Sequence, residues 1–307
     1  MDIQISIIIV NFNTSRLLDD CLTSLKQDPA LPLSEIIVID NNSSDSSVDM
    51  LTRDHPDVTV IRNRHNAGFA AANNQGLKVA SGHYVWLLNP DTIVFPGCAR
   101  TLMTFLETHP DAGAVSPRTW LDRDRTLEVC SLKLLTPDRA RAAFTRLPDP
   151  NRQSILMDIW NLDSTLWTAK KPIPVEGIGG AAFFVKKSVL DSINGLDERF
   201  FMGYEDTDLC AAIHARHQHI HIHPDAEIVH LFGQAKQTAE APRAVAYSWR
   251  EAPMEYLKKY YGLQAATRFK RQRALDSIWR RITPRFQPGL ETLPGPDGVT
   301  LQWPGPA

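Results

Sequence analysis

The 307-residue sequence is short of the features that mark several large protein classes. It has only four cysteines (Cys21, Cys98, Cys130 and Cys210), widely spaced and with no CxxC pair. That spacing excludes a zinc ribbon and a disulfide framework, and it fits reduced, buried thiols in the cytoplasm. An excess of either charge is lacking too: 33 Lys and Arg face 35 Asp and Glu, a formal net charge of -2, which argues against general nucleic-acid binding. The opening "MDIQISIIIVNFN" has no basic n-region, and its apolar run is too short for a signal peptide or a membrane span. We expect it to be a first β-strand. "VNFNTSRLL" contains no glycine, so the glycine-rich, lysine-bearing phosphate loop of a nucleotidyltransferase is missing there. What remains, 43% hydrophobic and 22% charged residues, suits one large soluble domain or two modest ones.

What is present alternates. "ISIIIVNFN" is followed by "SRLLDDCLTSLKQ", whose Leu17, Leu18, Cys21, Leu22 and Leu25 share one helical face. "SEIIVID", "SSVDMLTRDH", "VTVIRN", "GFAAANNQGLKVA" and "YVWLLNPD" continue as strand, helix, strand, helix and strand. This βαβαβαβ rhythm predicts a parallel sheet with right-handed crossovers. "PGCARTLMTFLETHP" predicts a further helix and "GAVSP" a strand, while residues 117–172 read as an irregular excursion. "VEGIGGAAFFVKKSVLDSI" resumes strand and helix, and "HIHIHPDAEIVH" predicts a late strand.

The strand ends carry polar groups. "YVWLLNPDTIVFP" runs apolar through Leu88 and then turns at Asn89, Pro90 and Asp91. Proline ends ladder pairing, so Asp91 falls at the carboxyl edge of a strand, where open α/β sheets place ligands. A turn aspartate capping its own backbone is the plainer reading. Asn11 and Asn13 follow strand one, Asp40, Asn41 and Asn42 follow strand two, and Asn66, Asn73 and Asn74 bracket the third helix. A rim of amides and carboxylates on one edge suits a nucleotide and the metal on its diphosphate.

"SIIIVNFN", "IIVIDNNSSDSS", "NAGFAAANNQG", "LLNPD" and "GLDERFFMGYEDTDL", in that order over about residues 5–262, resemble the inverting glycosyltransferases of family 2, nearest their rhamnosyltransferase-like branch. The resemblance implies an α/β GT-A fold: a Rossmann-like, mostly parallel central sheet flanked by helices, with a C-terminal helical extension. It implies a glycosyltransferase domain over 1–262, divided into a nucleotide-sugar-binding part (1–116) and an acceptor and catalytic part (117–262). It also implies transfer of a sugar, rhamnose by likeness to that branch, from a nucleoside-diphosphate sugar to a hydroxyl of a lipid-linked glycan. The alternative is a nucleotide-sugar-binding protein or a nucleotidyltransferase without glycosyl transfer.

Carried over by position, the resemblance sets Asn11 and Asp40 around the base and ribose, and Asn66, Gly68 and Asn74 around the nucleotide pocket. Asp91 then anchors Mg²⁺ or Mn²⁺, with only one carboxylate in its "NPD" element. His230 of "VHLFGQ" joins the metal or the diphosphate. Asn73 departs from the arginine often found at its position.

"FFMGYEDTDLCAAI" puts Glu205, Asp206 and Asp208 within four residues. Acids in a first helical turn are favoured by the macrodipole alone, which accounts for one or two of them. An inverting transfer needs one base to take the acceptor proton; by resemblance that base is Asp206, with Glu205 positioning substrate. Ala212 stands where the family commonly has an arginine, so a salt bridge usual at that helix is missing; whether Arg216, one turn later, replaces it is open.

Six of the ten histidines lie between His214 and His230, and His219, His221 and His223 alternate onto one strand face. A zinc site and a solvated edge are both open, the edge being the commoner outcome. Residues 263–283 hold Arg268, Lys270, Arg271, Arg273, Arg280 and Arg281 with Leu275, Ile278, Trp279 and Ile282, a basic amphipathic helix. It reads as a solvated surface or as a peripheral contact with anionic membrane, which would place the protein at the inner face of the plasma membrane. Residues 284–307, rich in proline and glycine, read as a tail.

Overall fold

The computed structural model describes residues 2–126, 128–129, 131–145, 160–161, 169–231, 251–282, 291–294 and 300–303. The first half alternates as its apolar periodicity predicts: β1 (Ile5–Asn11), α1 (Ser15–Lys26), β2 (Ser34–Asp40), α2 (Ser47–Asp54), β3 (Thr59–Arg62), α3 (Phe69–Val79), β4 (Tyr84–Leu88), β5 (Thr92–Val94) and α4 (Cys98–Thr108). There follow β6 (Ala112–Trp120), β7 (Glu128–Val129), β8 (Ser131–Leu132), α5 (Pro137–Thr145), β9 (Trp160–Asn161), β10 (Ile173–Val175), β11 (Ala182–Lys186), α6 (Lys187–Ser192), α7 (Glu205–His214), β12 (His219–His230) and α8 (Ala252–Ile282).

The main sheet has the order β10-β12-β6-β11-β4-β1-β2-β3, with β5 paired to β12 and β7 to β6. From β3 to β4 all neighbours are parallel. β11 enters antiparallel between β4 and β6, with Ala182 opposite Leu88. The chain reaches β11 from a loop at the edge where β4 ends, so it must run back the other way.

Alternate residues of the central strands feed two cores. Ile5, Ile7, Ile9, Trp86 and Leu88 pack beneath α1, α2 and α4, whereas Ile8, Val10, Val85 and Leu87 pack beneath α3, α6 and α7. This two-sided cover explains why β1 and β4 carry no polar face. A third cluster joins Leu135 and Ala140 to Phe200, Ala211, Tyr256, Leu257, Ala266 and Phe269, and so docks the start of α8 against α5 and α7.

Several segments differ from the sequence reading. β6 continues through Pro117 to Trp120, and α5 adds a helix within the stretch expected to be irregular. Residues 146–159 and 162–168 of that stretch lie outside the described residues. The basic helix begins earlier, at Ala252, and is interrupted at Gly262 (φ 81°, ψ 171°). Side chains of Ile278, Trp279 and Ile282 lie outside the described residues. In the expected tail, β13 (Glu291–Pro294) pairs antiparallel with β14 (Thr300–Trp303); the rest of it is not described. Cys21, Cys98 and Cys210 are buried free thiols, and Cys130 is outside the described residues.

Candidate active site

The parallel register brings the strand ends level. Asn11 pairs with Asp40 across β1 and β2, and Ile9 with Leu88 across β1 and β4, so the next turn, Asn89–Asp91, sits beside Asn11. The amide of Asn11 is buried and donates to Asp40 Oδ1 (2.9 Å) and Ser43 Oγ (3.0 Å), while its Oδ1 accepts from the Thr14 hydroxyl (2.6 Å). Asp40 Oδ2 accepts the Ser43 N–H at 3.0 Å. Asn41 ties this rim to the entry of α3, donating to the Gly68 carbonyl (3.3 Å) and accepting from Asn63 (2.8 Å). Asn66 Oδ1 accepts the Gly68 N–H at 3.0 Å and shapes the same turn.

Gly68 has φ 84°, and a Cβ there would lie 2.6 Å from both the Phe201 ring and its carbonyl oxygen. Only glycine fits. The close approach it permits is to the 199–204 loop, sealed by Phe69 N–H donating to the Phe201 carbonyl (2.8 Å). Asn74 stands apart from the rim: its amide bonds the Leu196 carbonyl (2.8 Å), the Leu196 N–H (2.9 Å) and Glu198 (3.0 Å). It clamps the loop that leads to the acidic helix.

Asp91 is 4% exposed, and its Oδ1 lies 3.1 Å from His230 Nε2. The pairing of β5 with β12 sets Thr92 opposite His230, and Leu231 N–H donates to the Asp91 carbonyl (2.9 Å). Asn89 reaches toward His230 Nε2 at 3.5 Å, and its buried Oδ1 has no partner.

The acids of α7 face this corner across one loop. Asn89 N–H donates to the Ala181 carbonyl (2.9 Å), and Gly180 N–H donates to Asp206 Oδ2 (3.1 Å). The glycines before β11 therefore join the two groups. Asp206 Oδ1 also accepts from the Thr207 N–H (2.6 Å) and hydroxyl (3.2 Å). Burial raises the proton affinity of Asp206, and these donors partly offset it. Glu205 is more deeply buried, and its Oε2 has no partner. Burial, reinforced by the charge of Asp206, pushes Glu205 up to about 8. The pair thus holds a proton at neutral pH.

Residues 6–150 match the profile of Glycosyl transferase family 2. The chain carries a family 2 glycosyltransferase domain. It is 24% identical over 220 residues to the N-acetylglucosaminyl-diphospho-decaprenol L-rhamnosyltransferase of Mycobacterium tuberculosis, covering 66% of this chain and 68% of that protein. Among solved structures, GalNAc-T7 with UDP, GalNAc and Mn²⁺ superposes with a TM-score of 0.57 at 14% identity, over 90% of this chain and 55% of that one. Staphylococcus aureus TarS 1–349 gives 0.54 at 13% identity, over 94% and 76%. These likenesses establish the GT-A fold.

In this glycosyltransferase the Asp91–His230 pair fits part of a Mg²⁺ or Mn²⁺ site. Adjacent ligands of an octahedral ion, at ~2.1 Å from it, stand about 3 Å apart, and the two donor atoms here are 3.1 Å apart. Among the described residues no group of three His, Cys, Asp or Glu is placed to hold a metal.

Other parts of the glycosyltransferase correct the sequence reading. His221 and His223 are half-buried against the Phe105 ring (5.1 and 5.6 Å between centroids), so the row is packed rather than a fully solvated edge. Burial lowers the proton affinity of both. Asn73 turns inward and donates to the Phe69 carbonyl of its own helix (2.9 Å). Arg216 does not replace the missing arginine, since its guanidinium donates to the Ser192 carbonyl (2.6 Å). Asp208 instead meets Lys259 of α8, at 2.6 and 2.8 Å. Neither Lys259 nor Gly180 was singled out from sequence; the only local signals are the pair of glycines before a strand and a lysine among tyrosines.

Proposed function

We propose that the protein is an inverting glycosyltransferase of polysaccharide biosynthesis. It moves a sugar from a nucleoside-diphosphate donor to a hydroxyl of a lipid-linked glycan, with Asp206 as the base. One observation carries this reading: Asp206, held by Gly180 N–H, shares a single loop with the Asp91–His230 corner at the carboxyl edge of the sheet. Donor and acceptor groups are thereby kept within one site. The likeness to the mycobacterial enzyme supports rhamnose as the sugar.

Asn11 and Asp40 form the floor under the base and ribose, and Asn66 and Gly68 shape the adjoining turn. Asp91 and His230 would hold Mg²⁺ or Mn²⁺, which would supply positive charge against the diphosphate. In a single displacement the acceptor oxygen loses its proton to Asp206 as it attacks the anomeric carbon from the side opposite the nucleotide. A carboxylate whose proton affinity is raised by burial is a better base than one in water. Glu205, protonated beside it, can donate a hydrogen bond to the sugar or the acceptor. The exposed basic part of α8 brings the site to an anionic membrane surface, where a lipid-linked acceptor resides.

Release of nucleoside diphosphate from UDP-, dTDP- and GDP-sugars with Mn²⁺ and acceptor tests this reading. Asp206→Asn lowers turnover by about 10²- to 10⁴-fold with donor affinity nearly constant. Glu205→Gln is milder and acts mainly on acceptor KM. Near-normal turnover in Asp206→Asn with collapse in Glu205→Gln transfers the role to Glu205.

A further inference from the structure

The acid pair sits on the first turn of α7, and that turn is held from far along the chain. Lys259 Nζ donates to both oxygens of Asp208 (2.6 and 2.8 Å) and to Asp197 Oδ2 (2.8 Å). Its ammonium lies 5.2 Å from the centre of the Tyr260 ring and 6.0 Å from that of Phe200. The Tyr260 hydroxyl donates to the Asp208 backbone carbonyl at 3.2 Å. The carboxylate of Asp208 is 4% exposed, so its charge has little water to disperse it. Asp208 lies three residues beyond Glu205, which stacks the two side chains on one face of the helix.

We propose that Lys259 is a positioning residue for the Glu205–Asp206 pair: it fixes the first turn of α7 and masks the charge of Asp208 from Glu205. The inference rests on the reading of that pair as the reacting acids. The helix that supplies Lys259 lies outside the stretch matched by the family profile, as does α7 itself. Other charged or titratable groups near the pair are Tyr204 and Cys210 on α7 and its cap, Tyr256 and Tyr260 on α8, and Asp197, which Arg199 also engages. Among the described residues, Lys259 is a cation that bonds an acid of α7 itself. Burial raises the proton affinity of Asp208, and the bonds from Lys259 partly offset it; without the lysine, the charge Asp208 keeps at the pH where Glu205 titrates stands unbalanced one turn away, and like charges raise proton affinity.

Titration of Glu205 by NMR, in full-length protein carrying ¹³C at glutamate carboxyls, tests this without any donor. The Glu205 signal is identified by its loss in Glu205→Gln. Lys259→Met raises the Glu205 midpoint by on the order of one unit. Asp208→Asn with Lys259 retained lowers it, and Asp208→Asn/Lys259→Met returns it to the wild-type value. If Lys259→Met is too unstable to titrate, the opposite shift in Asp208→Asn still decides. An unchanged midpoint in Lys259→Met, no downward shift in Asp208→Asn, or a double variant displaced as far as Lys259→Met overturns the proposal. Failure of the base assignment shows elsewhere, as retained turnover in Asp206→Asn.

Discussion

Two carboxylate corners of one sheet edge are built in opposite ways. At Asp91 a buried oxygen lies 3.1 Å from an imidazole, and the backbone on both sides is locked by β5, β12 and the turn after β4. At Glu205 a buried oxygen has no partner, and its nearest charged neighbour is another carboxylate. The first corner presents two donor atoms to a shared object. The second stores an unfavourable arrangement, a buried oxygen without a partner beside a like charge, and the acid keeps its proton because ionising there is costly. Unsatisfied buried polar groups are rare because they are costly, and they collect where chemistry happens. The rim formed by Asn11, Asp40, Asn41 and Asn63 makes the contrast sharper, since its amides are occupied with one another. It is a frame.

The largest expected effect removes the stored strain. Glu205 keeps its proton in the fold until about pH 8, against 4.5 for an ordinary glutamate. Its folded-state affinity is raised, so its contribution to stability is complete below the unfolded value. Between the two values the unfolded chain ionises and the fold does not, and that contribution is lost as pH rises. Glu205→Gln abolishes the dependence. The variant should gain steadily in stability relative to wild type as pH rises from about 5 to about 9. Chemical denaturation of both proteins at the two pH values measures it; a constant difference would place the orphaned oxygen in contact with water and dissolve the contrast.

A smaller effect is expected at the other corner. Asp91→Ala and His230→Ala each remove one of the two donor atoms and should weaken Mn²⁺-dependent donor binding by about 10- to 100-fold, the range typical of losses at metal sites. Titration of UDP- and dTDP-sugars with and without Mn²⁺, followed by thermal shift, separates the metal-linked part. Binding that is undiminished in both variants takes the pair out of the site.

How far these corners were legible in sequence depends on whether their partners are local. A strand end is a local signal: an apolar run stopped by "NPD" locates Asp91. The sheet followed from apolar periodicity up to β4, but the reversal of β11 did not, because direction is set by where the preceding loop lies. Asn74 looked like the other rim asparagines, yet its partners are 122 and 124 residues away and turn it into a loop clamp. Lys259 was invisible for the same reason, being 51 residues from Asp208. Gly68, expected around the nucleotide pocket, permits a close approach, and what approaches is Phe201, ring and carbonyl. Residue type suggested a role in each case; long-range contact decided it.

The corners differ last in what stands behind them, and this carries the smallest effect. Asp91 is backed by the sheet, whereas the acid helix is backed by α8, which continues past Gly262 with Arg268, Lys270 and Arg271 exposed. On the same stretch Ala266 and Phe269 are buried against the third core cluster, so one face is committed to the fold and another is free. Leu263 and Leu275 add exposed apolar surface, at 68% and 61%. Truncation before Phe269 would damage the core, so substitution is the cleaner test. Arg268→Gln/Lys270→Gln/Arg271→Gln should weaken binding to phosphatidylglycerol-containing vesicles by about 1 kcal/mol per charge removed. Raising salt should weaken the intact protein's binding in the same direction, because exposed charges are screened beyond a Debye length. Vesicle co-sedimentation at low and high salt reads both effects. If the triple variant and the salt series bind as the wild type does at low salt, the basic stretch is a solvated helix face, and the acid corner reaches its acceptor without help from the membrane.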